Sequence, residues 1–256
     1  MRLATFNILH GRSTQDGQVD VDRLRSAVAE LDPDVLALQE VDRDQPRSHR
    51  FDLTAVAAEA MGATAHRFVA ALAGTPGATW SAATEQDVPG QASYGVALLS
   101  RYPAESWQTL RLPRIGFRFP MYLPGPRKVI MVREEPRAAV IGRFRTPTGP
   151  LVVVNTHLSY VPGWGRRQLR RIRRDLAAVE GRVVLMGDLN LSGSTPVTVT
   201  GYRSLSRHDT FPIDQPDRQL DHILARGDWA SVIASRAVRL PLSDHLALVA
   251  DVADAG

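Results

Sequence analysis

The chain has 256 residues, 44% hydrophobic and 23% charged, which is enough apolar material for one sizeable core and far from a disordered composition. Cysteine is absent, which excludes disulfides, iron–sulfur clusters, thiolate-held zinc and thiol nucleophiles; a resident metal must take oxygen or imidazole ligands, a donor set that suits hard cations such as Mg²⁺ or Mn²⁺. The net charge is +4, and all but one of the 31 basic residues are arginine, a balance that favours anionic partners and that a GC-rich genome also produces.

Residues 2–9 open the chain as a short strand, with Leu3, Thr5 and Asn7 alternating with Ala4, Phe6 and Ile8. No leader precedes it and no apolar run is long enough to span a bilayer, so a cytoplasmic location is expected. Val21, Leu24, Ala27, Val28 and Leu31 are spaced as one face of a helix over residues 21–31, which closes before Asp32-Pro33. The apolar run 35–38 predicts a buried strand that delivers Glu40 at its C-terminal end. A helix over 51–61 and a strand over 64–71 follow, then a long loop over 72–93, then a buried strand over 94–100 and another over 105–112. Residues 114–127 read as a loop that interleaves Arg114, Phe117, Arg118, Phe119, Met121, Tyr122 and Arg127 with prolines. Such a loop suits either packing onto the core or contact with a charged substrate or nucleic acid.

Residues 137–145 and 151–157 predict a hairpin about 147–149, whose second arm, LVVVNTH, ends with Asn155 and His157 two apart on one face. A helix over 165–180 has an apolar stripe of Leu169, Ile172, Leu176 and Val179 opposite six arginines, which read as a solvated face or an anion-binding one. The run 183–190, VVLMGDLN, ends by presenting Asp188 and Asn190, again two apart. Two readings stand side by side for this pair: an Asx-turn, or a site held by a rigid strand. A loop-rich tract follows. QLDHIL at 219–224 is a strand that sets Asp221 on the face opposite Leu220 and Leu224, 229–240 includes one more strand, and Asp244 and His245 begin the last one. Neither a repeat nor a linker is visible, so a single domain over 1–256 is expected.

The polar strand ends are Asn7, Glu40, His157, Asp188, Asn190, Asp221, Asp244 and His245. The segments that carry them are TFNI at 5–8, LQEV at 38–41, NTHLS at 155–159, GDLN at 187–190 and SDHLALV at 243–249. Taken in this order they resemble the motifs of the endonuclease/exonuclease/phosphatase superfamily, which includes deoxyribonuclease I and the neutral sphingomyelinases. The resemblance implies a four-layer α/β sandwich of two mixed β-sheets with helices outside, and metal-dependent hydrolysis of a phosphate ester. It implies Glu40 as the principal Mg²⁺ ligand, with Mn²⁺ a substitute, supported by Asn7 and by Asp244. It further implies Asp188 and Asn190 as the groups that position the attacking water, His245 paired with Asp221 beside the phosphate, and His157 as a second histidine. Tyr94, Arg137 and Trp164 are taken as substrate-binding residues.

Acid–base chemistry supports the set on its own terms. A histidine oriented by a carboxylate titrates near neutrality, whereas Asp188 is too acidic for a base unless it is buried. Leu9 and His157 depart from the abasic-site endonuclease pattern, and QLDHIL departs from that of inositol polyphosphate phosphatases. A phosphodiesterase is therefore the leading expectation. A nuclease acting on DNA or RNA is the alternative, and a catalytically inactive phosphate-binding module is the alternative of another class.

Overall fold

The computed structural model describes residues 1–84, 88, 90–123 and 128–253, the side chains of 121–123, 130 and 132 excepted. Asp20 caps the first helix by accepting from the Asp22 amide, and Asp52 caps the second by accepting from the amides of Thr54 and Ala55. In chain order the elements are β1 (Arg2–Asn7), α1 (Val21–Leu31), β2 (Val35–Arg43), α2 (Leu53–Met61), β3 (Ala65–Gly74), β4 (Trp80–Ala82), β5 (Ser93–Ser100) and β6 (Ala104–Arg111). Then come β7 (Phe119–Leu123), β8 (Lys128–Val132), β9 (Ala138–Thr146), β10 (Gly149–His157), α3 (Trp164–Asp175), β11 (Arg182–Asp188), α4 (Thr195–Thr200), β12 (Arg203–Ser204), β13 (Asp221–Arg226), β14 (Val232–Val238) and β15 (Ala247–Val252).

The strands form two mixed sheets. One runs β14-β15-β1-β2-β5-β3-β4 and the other β12-β13-β11-β10-β9-β6, while β7 and β8 pair only with each other. Within each large sheet one pair is parallel, β1 with β2 and β10 with β11. These four strands are apolar along nearly their whole length because each is covered on both faces. Leu3, Val35, Leu98, Val153, Met186 and Leu248 fill the space between the sheets. Phe6, Leu36 and Val249 point the other way and pack on α1 and α2, and Val152, Val154 and Leu185 pack on α3. The result is the expected four-layer α/β sandwich. No helix of the described residues is long and apolar enough to cross a membrane.

Several elements differ from expectation. The run 114–127 is not wholly loop, since Phe119–Leu123 pairs with Lys128–Val132; residues 124–127, with Arg127, and the side chains of Met121 and Tyr122 lie outside the described residues. The presumed loop 72–93 contains the end of β3 and all of β4, and the tract after Asn190 contains α4. Helix α3 stops at Asp175, short of the predicted 180, and the Leu176 N–H makes its last bond, to Ile172 O. Only its apolar residues up to that turn are presented at helical spacing.

Asn155 is a polar residue that ties the two large sheets together. Its Nδ2 donates to Leu38 O at 2.8 Å and to Ala97 O at 2.7 Å, both in the opposite sheet. Its Oδ1 accepts from Gln39 Nε2 at 2.7 Å, and Gln39 in turn donates to Thr5 Oγ1 at 3.0 Å. Asn155, two residues before His157 on the same strand, is fully buried and bonded throughout. Asn155→Leu strands the Gln39 amide and two carbonyls in a dry layer, so the expected loss of unfolding free energy is about 3 kcal/mol or more, measured by urea titration; a loss under about 1 kcal/mol contradicts the bridge.

Candidate active site

The registers of β10, β11 and β13 set His157, Asp188 and Asp221 in one row. His157 lies opposite Asp188 between β10 and β11, and Asp188 opposite Asp221 between β11 and β13. Directly opposed residues point to the same side of a sheet, so all three converge at one edge of the sandwich. Gly187 permits this approach. Its φ is +140°, and a Cβ placed there falls 2.0 Å from Thr156 O, so no side chain fits between β11 and β10.

The facing sheet supplies Asn7 from the end of β1 and Glu40 from β2. Glu40 does not end its strand as expected. The ladder between β2 and β5 slips between Leu38 and Val41, and Glu40 has φ +56°, so a β-bulge turns this carboxylate out of the pleat while the strand continues to Arg43. Asn7 Nδ2 then joins the two sheets, donating to Glu40 Oε1 at 3.2 Å and to Asp188 Oδ2 at 3.1 Å. The same Asp188 oxygen lies 3.4 Å from His157 Nε2 and 3.8 Å from His245 Nε2.

His245 enters from the segment before β15, not from the strand itself. Ser243, with φ +75°, donates its hydroxyl to Asn7 O at 2.6 Å and accepts the His245 amide at 3.0 Å, which fixes the turn. The ring packs against Phe211, tilted by 48° at 4.8 Å between centroids, and its Nδ1 meets Asp221 Oδ2 at 2.8 Å. Asp221 Oδ1 is buried without a partner among the described residues.

Burial dominates the electrostatics. Asp188 is pushed up to about 7 by burial and by the Asp221 charge, against the pull of His245 and the bonds from Asn190 and Asn7. Burial also pushes the Glu40 carboxyl up, opposed by the Asn7 bond and assisted by Asp244. Burial opposes charge on His245, but Asp221 by charge and hydrogen bond, then Asp188 and Asp244, together raise it to about 10. His157 is held well below its usual value by burial and by the charges of Arg137 and His245. The two histidines therefore differ at neutral pH in the metal-free protein, His245 protonated and His157 neutral.

The remaining candidates fall in different places. Asn190 lies beyond β11 with φ +49°, its amide bonded to Asp188 Oδ1 at 2.9 Å and its Nδ2 to Leu158 O at 3.0 Å. The Asx-turn and the site thus coexist, and Asn190 braces the Asp188 carboxylate and the end of β10. The charges of Asp244 and Arg137 act on Glu40, and Glu40 acts on the buried Tyr94 hydroxyl. Trp164 opens α3 beneath the Arg167 guanidinium at 4.9 Å, and no contact among the described residues ties it to the carboxylates. Sequence inspection passed over Ser243, Phe211 and the Asp42–Arg47 ion pair; Ser243 alone carries a local signal, a hydroxyl two residues before His245.

Among the described residues, Asp188, Asp221 and His245 form the one acid–histidine group whose ligand atoms, within 4.8 Å of one another, could hold a metal. That set is not Glu40, Asn7 and Asp244. The Asp221–His245 hydrogen bond occupies Nδ1, and a protonated ring does not ligate. At the Glu40 end the donor atoms are carboxylate oxygens, with Asn7 turning its Nδ2 to Glu40 and its Oδ1 to the Leu9 amide, and burial leaves the Glu40 charge short of compensation. This environment fits a hard divalent cation.

The model of the Endonuclease/Exonuclease/phosphatase family matches residues 4–245, and the chain belongs to that family, whose members hydrolyse phosphate esters. Among solved structures, an endonuclease/exonuclease/phosphatase from Beutenbergia cavernae is 25% identical with a TM-score of 0.71, over 98% of this chain and 70% of that one. Sphingomyelinase C from Streptomyces griseocarneus is 16% identical with a TM-score of 0.64, over 98% of each chain. A mannosyl-6-phosphatase from Bacteroides thetaiotaomicron is 15% identical with a TM-score of 0.65, over 99% of each. No curated protein sequence matches the chain.

A raised carboxyl pKa makes burying the charged form a cost. For Asp188 that cost starts near the unfolded pKa of about 4, grows as pH rises to about 7 and is constant above. Metal-free Asp188→Asn is therefore expected to match the parent in thermal stability at pH 4 and to exceed it at pH 8 by at least about 1 kcal/mol, roughly 2–4 °C in Tm. Equal melting curves at both pH values contradict the assignment.

Proposed function

We propose that the chain is a divalent-metal-dependent phosphodiesterase acting as one domain, with Mg²⁺ its ordinary cofactor and Mn²⁺ a substitute. The observation that carries this is the single point at which Asp188 meets Asn7, His157 and His245. Glu40, with Asn7 and Asp244, would hold the cation. Once bound, the cation would neutralise non-bridging phosphate oxygens and stabilise charge on the leaving oxygen.

The other steps belong to side chains. Asp188, raised to about 7, has the basicity to take a proton from the attacking water, whose oxygen forms a bond to phosphorus as the opposite ester bond breaks. Asn190 holds the Asp188 carboxylate in place through its amide. Protonated His245, oriented by Asp221, donates from Nε2 to a phosphoryl oxygen and so stabilises the charge that builds there. Neutral His157 hydrogen-bonds the same group, and Arg137 and Tyr94 contact the phosphate or the group attached to it. Because the Asp221–His245 pair is already charged, it supports the phosphate and leaves the base role to Asp188.

A second reading, cleavage of nucleic acid, is favoured by the exposed arginines of α3, several of which bond only locally, as Arg171 does to Asp175. It predicts activity that falls steeply with salt. An inactive binding module does not need a carboxylate kept near neutrality. A cytoplasmic location remains part of the proposal.

The test is hydrolysis of an activated aryl phosphodiester with Mg²⁺, Mn²⁺ or EDTA. Chelation is expected to abolish turnover, Asp188→Ala and His245→Ala to lower kcat by about 10³-fold or more, and Glu40→Gln to raise the Mg²⁺ concentration needed. Turnover that survives both EDTA and Asp188→Ala refutes the mechanism.

A further inference from the structure

Two residues past Glu40, Asp42 is fully buried, and burial pushes its carboxyl pKa up. Its partner is Arg47, which donates from Nε to Oδ2 at 2.8 Å and from Nη2 to Oδ1 at 2.7 Å. This is the two-bond fork that fixes a guanidinium in orientation as well as position. An apolar pair would fill the same space at no greater cost in stability, so a buried ion pair is weak evidence of a stabilising role.

The backbone is bent to make the pair. After β2, Asp44 has φ +57°; a single 3₁₀ turn, Pro46–Ser48, carries Arg47 back, and His49 and Arg50 follow at φ +54° and +61°. Gln45 Nε2 pins the turn to Gly74 O at 2.7 Å. Tyr94, directly opposite Asp42 in β5, places its ring 5.4 Å from the guanidinium carbon.

One edge and one face of Arg47 are thereby committed. Its Nη1 makes no bond among the described residues, and the side chain is 31% exposed. The Arg47 guanidinium feels the Glu40 charge, which puts it in the neighbourhood of the proposed metal ligand. His10, three residues after Asn7, lies in the field of both Arg47 and Arg12, and its Nδ1 is buried without a partner. A phosphate held between Glu40 and Asp188 would be served by Asn7, His157 and His245, which leaves the Arg47 edge unused by the reaction itself.

We propose that Arg47 is a specificity-determining residue whose Nη1 edge receives a second phosphate group of the substrate, next to the one that is cleaved, so that the enzyme selects esters carrying two phosphates. Asp42 is its positioning residue. The inference rests on the phosphodiesterase reading above and narrows it to a substrate class.

Matched pairs of diesters test it with the Mg²⁺-loaded enzyme: dithymidine monophosphate with and without a terminal phosphate, and glycerophosphoinositol with and without a phosphate on the ring. The readout is the ratio of kcat/KM for the doubly to the singly phosphorylated member. Wild type is expected to prefer the doubly phosphorylated member of at least one pair, and Arg47→Met to lower that ratio about 10- to 100-fold, the range of a lost charge-assisted hydrogen bond. Because Arg47→Met leaves Asp42 buried and unpaired, Asp42→Asn with Arg47→Met is measured beside it and is expected to show the same fall. The pair that responds identifies the source of the second phosphate, a polynucleotide or a small phosphorylated molecule. An unchanged ratio, or no preference in the wild type, overturns the inference while an active aryl diester assay leaves the phosphodiesterase reading standing. No turnover of any substrate by the wild type overturns both.

Discussion

Asp188 is a carboxylate enclosed between two β-sheets at 1% exposure, and every polar group around it answers to that fact. Removing such a group from water disfavours its charge, and Asp221 in the next strand disfavours it further. What restores balance comes from separate parts of the chain: Asn7 from β1, the Asn190 amide from its own turn, and His157 and His245 from β10 and the segment before β15. No local stretch can assemble this set. It exists only when both sheets are stacked in register, which is why the Asn155 bridge beneath it and the Ser243 bond to Asn7 belong to the same structure as the site.

The arrangement divides acid from base by environment. One histidine has a carboxylate on its Nδ1 and two more nearby, and it keeps its proton. The other is buried beside cations and gives its proton up. The aspartate between them is left near neutrality, where it can exchange a proton with water. A site built this way works against folding stability, since an uncompensated buried charge is the opposite of what packing favours.

Much of this was legible in the sequence because buried parallel strands write themselves as apolar runs. LVVVNTH and VVLMGDLN each show where a strand ends and which residues it presents, and α1 was bounded correctly by its spacing and by Asp32-Pro33. The bulge at Glu40 was not legible, since it depends on the register with β5 and not on any local pattern. The hairpin of β7 and β8 was hidden by the prolines that punctuate it, and α4 by the β-branched run TPVTVT, which favours a strand. The bridging role of Asn155 was not legible, because its partners Leu38 and Ala97 lie in the other sheet. The Asp42–Arg47 pair was missed because a charge five residues from its partner across a turn has no periodic signature.

These elements depend on one quantity, the proton affinity of Asp188. The direct measurement is the ¹³C chemical shift of its carboxyl carbon in selectively labelled, metal-free protein, followed from acid to alkaline pH and assigned by its loss in Asp188→Asn. The account predicts a titration midpoint near 7, apart from surface aspartates such as Asp217, which titrates below its usual range. A midpoint in the ordinary aspartate range, near about 4, would show the carboxylate to be fully compensated and would remove it as the base.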